Sequence, residues 1–164
     1  MNNRLWSWLG VSAAVLLLDQ ITKWVVLATM HAGDAITVTP FFKLVLLYNP
    51  GAAFSFLATQ PGWQRWFFVI LALAICAWLF VMLRQHQHER ALPLAFSLII
   101  GGALGNVIDR LVHGAVVDFL FFHIGRYGWP AFNLADSAIT IGVVLMLWTQ
   151  FRPASKTPPT ENPS

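Results

Sequence analysis

Long apolar runs alternate with short polar breaks along this chain, and four of the runs reach or nearly reach the length of a membrane span. A helix rises about 1.5 Å per residue, so crossing a hydrocarbon core of about 30 Å takes about 20 residues. The runs cover about 5–28, 66–83, 91–111 and 134–151. The second is the cleanest, with no charged residue between Trp66 and Leu83. The others carry polar residues toward one end: Asp19, Gln20 and Lys23 in the first, Asn106, Asp109 and Arg110 in the third, Asp136 in the fourth. The first run begins like a secretory signal, with Arg4 ahead of apolar residues, but its polar interruptions and the lack of a small-x-small cleavage pattern read as an uncleaved span.

The segments between the runs differ in kind. Residues 84–90 form a short polar loop, whereas 31–65 form a long one. Within the long loop, 36–38, 41–48 and 52–56 are rich in β-branched and aromatic residues and are punctuated by Pro40 and Asn49-Pro50-Gly51. This pattern predicts a small β-sheet over about 36–56, lying on the membrane surface. Pro61-Gly62, with Trp63 and Trp66, suits an interfacial anchor. The loop from Val112 to Asn133 holds two apolar runs, 116–122 and 129–132. The expected fold is therefore mainly α, a polytopic four-helix membrane bundle with a small extracytoplasmic β-sheet between spans one and two. Residues 1–152 are expected to form one membrane domain and 153–164 a disordered cytoplasmic tail rich in Pro, Ser and Thr.

Composition agrees with lipid as the solvent. Hydrophobic residues make up 57% of the chain and charged residues 10%, against roughly 25% charged in soluble proteins. The net charge of +3 comes with no basic run longer than two residues, so no nucleic-acid partner is expected. Cys76 stands alone and cannot form an internal disulfide; inside an apolar run it reads as a small apolar residue.

Charge distribution also orients the spans. Arg4, Arg84, Arg90, Arg152 and Lys156 fall on one side, Lys43, Arg65 and Arg126 on the other, which puts both termini in the cytoplasm. With that topology, five of the seven acids (Asp19, Asp34, Asp109, Asp118, Asp136) gather at the outer face, leaving only Glu89 and Glu161 inside. Ionisable groups near hydrocarbon are costly unless paired or hydrated, and so mark functional sites.

Asp118 and Asp136 are each embedded in apolar sequence. Two carboxylates in one low-dielectric site cannot easily both ionise, so a pair of them can hold one proton, as general acid–base hydrolysis requires. The alternative is two unrelated acids, one in a loop and one capping a helix. Asp19 and Lys23, at i,i+4, share a helix face and read as an ion pair, structural or supporting the site. Arg110 could fix a site carboxylate or a lipid phosphate, or serve as an anchor. Asn49, Asn106 and Asn133 either tie loops together or orient a bound backbone. Gly101-Gly102-Ala103-Leu104-Gly105 reads as a close helix–helix approach.

Other chemistries have little support. The five histidines lie in loops or beyond span ends and there is no H-E-x-x-H, so neither a zinc site nor a serine–histidine pair is expected. His86-Gln87-His88-Glu89 reads as a solvated loop. A serine–lysine pair would have to use Lys23, the only lysine in a span, with Ser137 as a conceivable partner. A proton-coupled transporter is the rival class, but relays place acids at mid-bilayer or on both sides.

Five blocks together resemble the bacterial lipoprotein signal peptidases (signal peptidase II): Leu18-Asp19-Gln20-Ile21-Thr22-Lys23, Asn49-Pro50-Gly51-Ala52-Ala53-Phe54-Ser55, Gly101 to Arg110, Val116-Val117-Asp118-Phe119, and Phe132-Asn133-Leu134-Ala135-Asp136-Ser137. The resemblance covers nearly the whole chain. It implies a membrane aspartic endopeptidase with catalytic Asp118 and Asp136. Asp19, Asn49, Gly51, Asn106, Asp109, Arg110 and Asn133 would support the site or bind substrate. The implied substrate is a diacylglyceryl-modified prolipoprotein, cut just before its lipidated cysteine. No metal or organic cofactor is implied. The expected setting is the bacterial inner membrane, multi-pass, with the site at the periplasmic face, membrane lipid as a neighbour and the protein a monomer.

Overall fold

The structure is a computed structural model and describes residues 3–51 and 62–151. Four helices follow the four apolar runs: α1 (Asn3–Thr29), α2 (Trp63–His86), α3 (Ala91–His113) and α4 (Leu134–Gln150). By length and composition α1, α2 and α3 can each cross a membrane. At 17 residues, α4 rises about 26 Å and stands at the short end of the range for a span. α2 starts three residues earlier than the apolar run and absorbs Arg84 and His86 into its last turn, where positive charge complements the helix C-terminus. The polar loop that follows is correspondingly shorter than 84–90.

α3 is the central helix and packs against the other three. Small residues make this possible. A Cβ on Gly101 would sit 2.6 Å from the Ser12 carbonyl and 2.8 Å from Val15 Cβ of α1, and one on Gly102 would sit 2.9 Å from Ile139 of α4. The expected close approach thus serves two neighbours at once, because successive residues of a helix point in different directions. One apolar core, around Leu79, Leu83, Phe96, Ile99 and Ile100, joins α2 to α3. The outward faces stay apolar and exposed, as at Trp24, Ile70 and Val144.

The sheet is larger than the pattern of 36–56 predicts. β1 (Ala35–Thr39) and β2 (Phe42–Asn49) form the expected hairpin, while 52–56 lies outside the described residues. β3 (Val116–Ile124) and β4 (Tyr127–Gly128) come from the loop between α3 and α4, and the order is β1-β2-β3-β4. β3 pairs antiparallel with β2, placing Asn49 opposite Val116 and Leu47 opposite Asp118, with a bulge between Leu44 and Leu47. The sheet packs through Leu46, Val117 and Phe119 onto Val26 and Met30 at the end of α1. That contact seats β3 over the polar ends of the spans.

Candidate active site

The site begins with a buried lysine. Lys23 is 2% exposed. Its Nζ lies 2.8 Å from Asp19 Oδ2 and 2.8 Å from Asp109 Oδ2, and donates to Asn106 Oδ1 at 3.0 Å. The i,i+4 spacing on α1 sets the first contact and the crossing of α1 with α3 supplies the others. Gln20 Nε2 adds a bond to Asp109 Oδ1 at 3.1 Å. A buried ammonium is tolerable only when its donors are all used, and here three acceptors meet it. The two carboxylates also tie distant segments: Asp19 Oδ1 accepts from the Ala135 N–H of α4 at 2.9 Å, and Asp109 Oδ2, besides meeting Lys23, accepts from the Val117 N–H of β3 at 3.0 Å. A side chain on Gly105 would collide with the Asp19 carboxylate, which explains a glycine at that turn of α3.

Upon this base stand the two candidate catalytic acids. Because Lys23 holds the oxygen of Asn106, the amide nitrogen of Asn106 must face the other way, and it donates to Asp136 Oδ1 at 2.7 Å. Asn133 caps α4. Its Oδ1 accepts from the Asp136 N–H at 2.9 Å, and its own N–H donates to Asp136 Oδ2 at 3.3 Å, completing a capping box. With its oxygen thus fixed, Asn133 Nδ2 donates to Asp118 Oδ1 at 2.9 Å. Asn49, at the end of β2, donates to Asp118 Oδ2 at 3.1 Å, and its oxygen accepts from the Gly51 N–H at 3.1 Å. Arg110 donates to the Gly51 carbonyl at 3.0 Å and to Asn106 O at 3.3 Å, and lies over the Phe68 ring at 5.1 Å.

All nine residues singled out in the sequence therefore belong to one network. Asp136 both takes part in the capping box of α4 and lines the cavity with Asp118. The three asparagines orient carboxylates. Arg110 donates to two backbone carbonyls and, among the described residues, to no carboxylate. The serine–lysine alternative fails, since Ser137 Oγ donates to Asn133 O at 3.0 Å and Lys23 is occupied elsewhere. Gln20 and Phe68 were missed as site residues. Gln20 stands inside the Asp-Gln-x-x-Lys block and so was legible. Phe68 meets Arg110 only through the packing of α2 on α3.

Asp118 is 3% exposed. Burial, with the nearby charge of Asp136 second, pushes its carboxyl up to about 7; the bonds from Asn49 and Asn133 pull partly back. Near neutral pH this carboxyl can therefore carry a proton. Four carboxyls (Asp19, Asp109, Asp118, Asp136) face two cations (Lys23, Arg110), so a shared proton also lowers the excess negative charge of a buried cluster. Asp118 and Asp136 line one cavity of about 540 Å³, which runs from Asn49 and Asn106 past Trp129 and Phe132 to Ile139 and Ile141 of α4. It is polar where the acids stand, and along α4 the apolar Ile139 and Ile141 line it together with the hydroxyl-bearing Ser137 and Thr140. Two carboxyls holding one proton at the head of an apolar groove can activate water with the ionised member and polarise a carbonyl with the other.

Comparison with known proteins agrees with this chemistry. Residues 11–152 match the family described as signal peptidase (SPase) II. The chain is 68% identical over 151 residues to the lipoprotein signal peptidase of Azoarcus sp. (strain BH72), covering 92% of this chain and 86% of that protein. It is 54% identical over 145 residues to that of Burkholderia mallei (strain SAVP1), covering 88% and 87%. Two bacterial membrane enzymes solved by the in meso method share the fold. One, at 2.3 Å, gives a TM-score of 0.74 at 32% identity over 92% of this chain and 94% of that one. The other, at 1.9 Å, gives 0.72 at 34% identity over 90% and 94%.

Proposed function

The chain belongs to the signal peptidase II family and removes signal peptides from prolipoproteins, and we propose that Asp118 and Asp136 make the cut as an aspartic pair. The observation that carries this reading is that both carboxyls line one cavity, each held by an amide N–H of an asparagine whose own oxygen is already engaged. The rival transporter reading finds no support, since the relatives are peptidases.

In this proposal the signal peptide lies as an apolar helix beside α4, along Ile139 and Ile141, with its scissile carbonyl at the head of the groove. The protonated member of the pair donates to the carbonyl oxygen while the ionised member takes a proton from water. The hydroxide adds to the carbonyl carbon. The tetrahedral diol collapses as the member that took the water's proton gives it to the leaving amine and a diol hydroxyl returns its proton to the other member, so the pair again holds a single proton. The proton belongs to the pair as a unit. Asn49, Asn106 and Asn133 hold the carboxyls in place, Lys23 with Asp19 and Asp109 braces the asparagines, and Arg110 holds the Gly51 carbonyl beside the site. The substrate's cysteine carries diacylglycerol, and its chains extend from the groove into lipid. The cut falls just before that cysteine. No metal or organic cofactor is invoked.

Charge supports the orientation proposed with it: Arg4, Arg84 and Arg90 lie at the end of the bundle opposite the acids, so this end faces the cytoplasm and the site faces the periplasm across the inner membrane. One copy contributes every group of the network, in keeping with a monomer.

The test is cleavage of a diacylglyceryl-modified prolipoprotein by purified protein in detergent. Asp118→Asn and Asp136→Asn should each fold and each lose essentially all turnover. Near-normal turnover by either folded variant would remove that residue from the pair.

A further inference from the structure

Four threonines stand on the described helices: Thr22 and Thr29 on α1, Thr140 and Thr149 on α4. A hydroxyl on a helix commonly donates to a carbonyl one turn back. Three of the four do so: Thr22 to Asp19 O at 2.8 Å, Thr29 to Val25 O at 2.8 Å and Thr149 to Met146 O at 2.6 Å. Thr140 does not, and its hydroxyl has no hydrogen-bond partner among the described residues. The residue is exposed and lines the cavity that Asp118 and Asp136 share. It follows Asp136 by four residues, so the two lie on one face of α4, with Thr140 one turn, about 6 Å, further along the helix. Past Ser137, whose hydroxyl is engaged with Asn133 O at 3.0 Å, the α4 wall of the cavity is Ile139, Thr140 and Ile141. Thr140 therefore offers the one free polar group along that wall.

We propose that Thr140 is a substrate-positioning residue, whose hydroxyl donates to a backbone carbonyl of the signal peptide just ahead of the cut. This rests on the placement given above, with the signal peptide beside α4 and its scissile carbonyl at the acids. A distance of about 6 Å corresponds to roughly two residues of extended chain or four of helix, so the carbonyl belongs to that stretch of the signal peptide. A signal helix that ends at the acids leaves its last four carbonyls without an intrahelical partner, and hydrocarbon supplies no water to satisfy them. A free donor on the wall of the groove answers one of them. Such a bond reads the backbone and is indifferent to side chains. It sets how far the peptide enters the groove, and so which peptide bond reaches Asp118 and Asp136. The ester carbonyls of the diacylglyceryl group are acceptors as well, but they hang from the residue after the cut, whereas Thr140 lies on the side of the signal peptide.

Steady-state cleavage of a diacylglyceryl-modified prolipoprotein by the purified full chain in detergent tests it. Thr140→Val keeps the size and the β-branching but has no donor. Its KM should rise about five-fold, the yield of one hydrogen bond, while kcat and Tm hold, because the bond is made equally in the ground state and the transition state. Thr140→Ser restores the donor and should return KM to within about two-fold of the wild type. A second substrate, with alkyl ethers in place of both acyl esters, should show the same rise in Thr140→Val. An unchanged KM in Thr140→Val would overturn the assignment, as would a Thr140→Ser variant as impaired as Thr140→Val. Loss of the effect with the ether substrate would put the hydroxyl on a lipid ester and overturn it too. Asp118→Asn and Asp136→Asn, measured alongside, separate the two readings. If both are inactive while Thr140→Val keeps its KM, the role of Thr140 alone fails; near-normal turnover by either folded aspartate variant would overturn the placement of the substrate and this inference with it.

Discussion

Replacing Lys23 by methionine removes one charge and nearly nothing else, because the two side chains are similar in length. In the wild type the ammonium meets Asp19 and Asp109 at 2.8 Å each and Asn106 at 3.0 Å, with at most 3% exposure of any charged partner. The variant leaves two carboxylates buried with no cation in contact, since Arg110 bonds elsewhere. Breaking a buried ion pair from one side costs about 3–5 kcal/mol. For a chain of this size that corresponds to roughly 6–20 °C in Tm. Thermal unfolding in detergent, followed through the fluorescence of the eight tryptophans, reads this directly. Adding Asp109→Asn to Lys23→Met removes one stranded charge, so the double variant should regain about 1–2 kcal/mol over the single one. Activity should fall as well, because Lys23 sets which way Asn106 points and Asn106 holds Asp136. A Lys23→Met variant within about 1 kcal/mol of wild type, or a double variant less stable than the single, would refute the reasoning that Lys23 is the electrostatic base of the site.

Asp118→Asn tests the perturbed carboxyl separately from catalysis. With the folded carboxyl titrating near 7 against about 4 when unfolded, the folded state keeps a proton that the unfolded state has lost. Wild-type stability should therefore fall as pH rises from about 4 to 7, by up to about 4 kcal/mol. The gap in Tm between variant and wild type should move in the variant's favour across that window; a constant gap would show an unperturbed carboxyl. Gly105→Ala drives a methyl into the Asp19 carboxylate and should cost about 1–3 kcal/mol. Gly10→Ala, with nothing near its Cβ, should gain about 0.5–1 kcal/mol from helix propensity; equal effects in the same unfolding assay would deny the close packing of α3. Arg110→Lys keeps the charge but loses the fork that spans Gly51 O and Asn106 O. Cleavage kinetics should show about a ten-fold loss, from one or two charge-assisted hydrogen bonds, and unchanged turnover would deny that these bonds position the site.

Spans, their polar ends and the grouping of acids were legible in the sequence because hydrocarbon imposes a local rule. A residue such as Asp19 or Asp109 in an apolar run must find a partner, and apolar length alone marks the crossing. The ion pair of Asp19 with Lys23 follows from helical period. Asp118 and Asp136 could be picked out as acids in apolar surroundings, and the five blocks joined them to a family. What the sequence alone could not decide was pairing across distance. β3 joins β2 through hydrogen bonds that carry no local signature, so the small sheet expected over 36–56 takes two further strands from the segment before α4. The same holds for the asparagines: Asn106 faces Asp136 because Lys23 holds its oxygen, and Asn133 faces Asp118 because its oxygen caps α4. An amide has two ends, and only the tertiary structure says which is already taken.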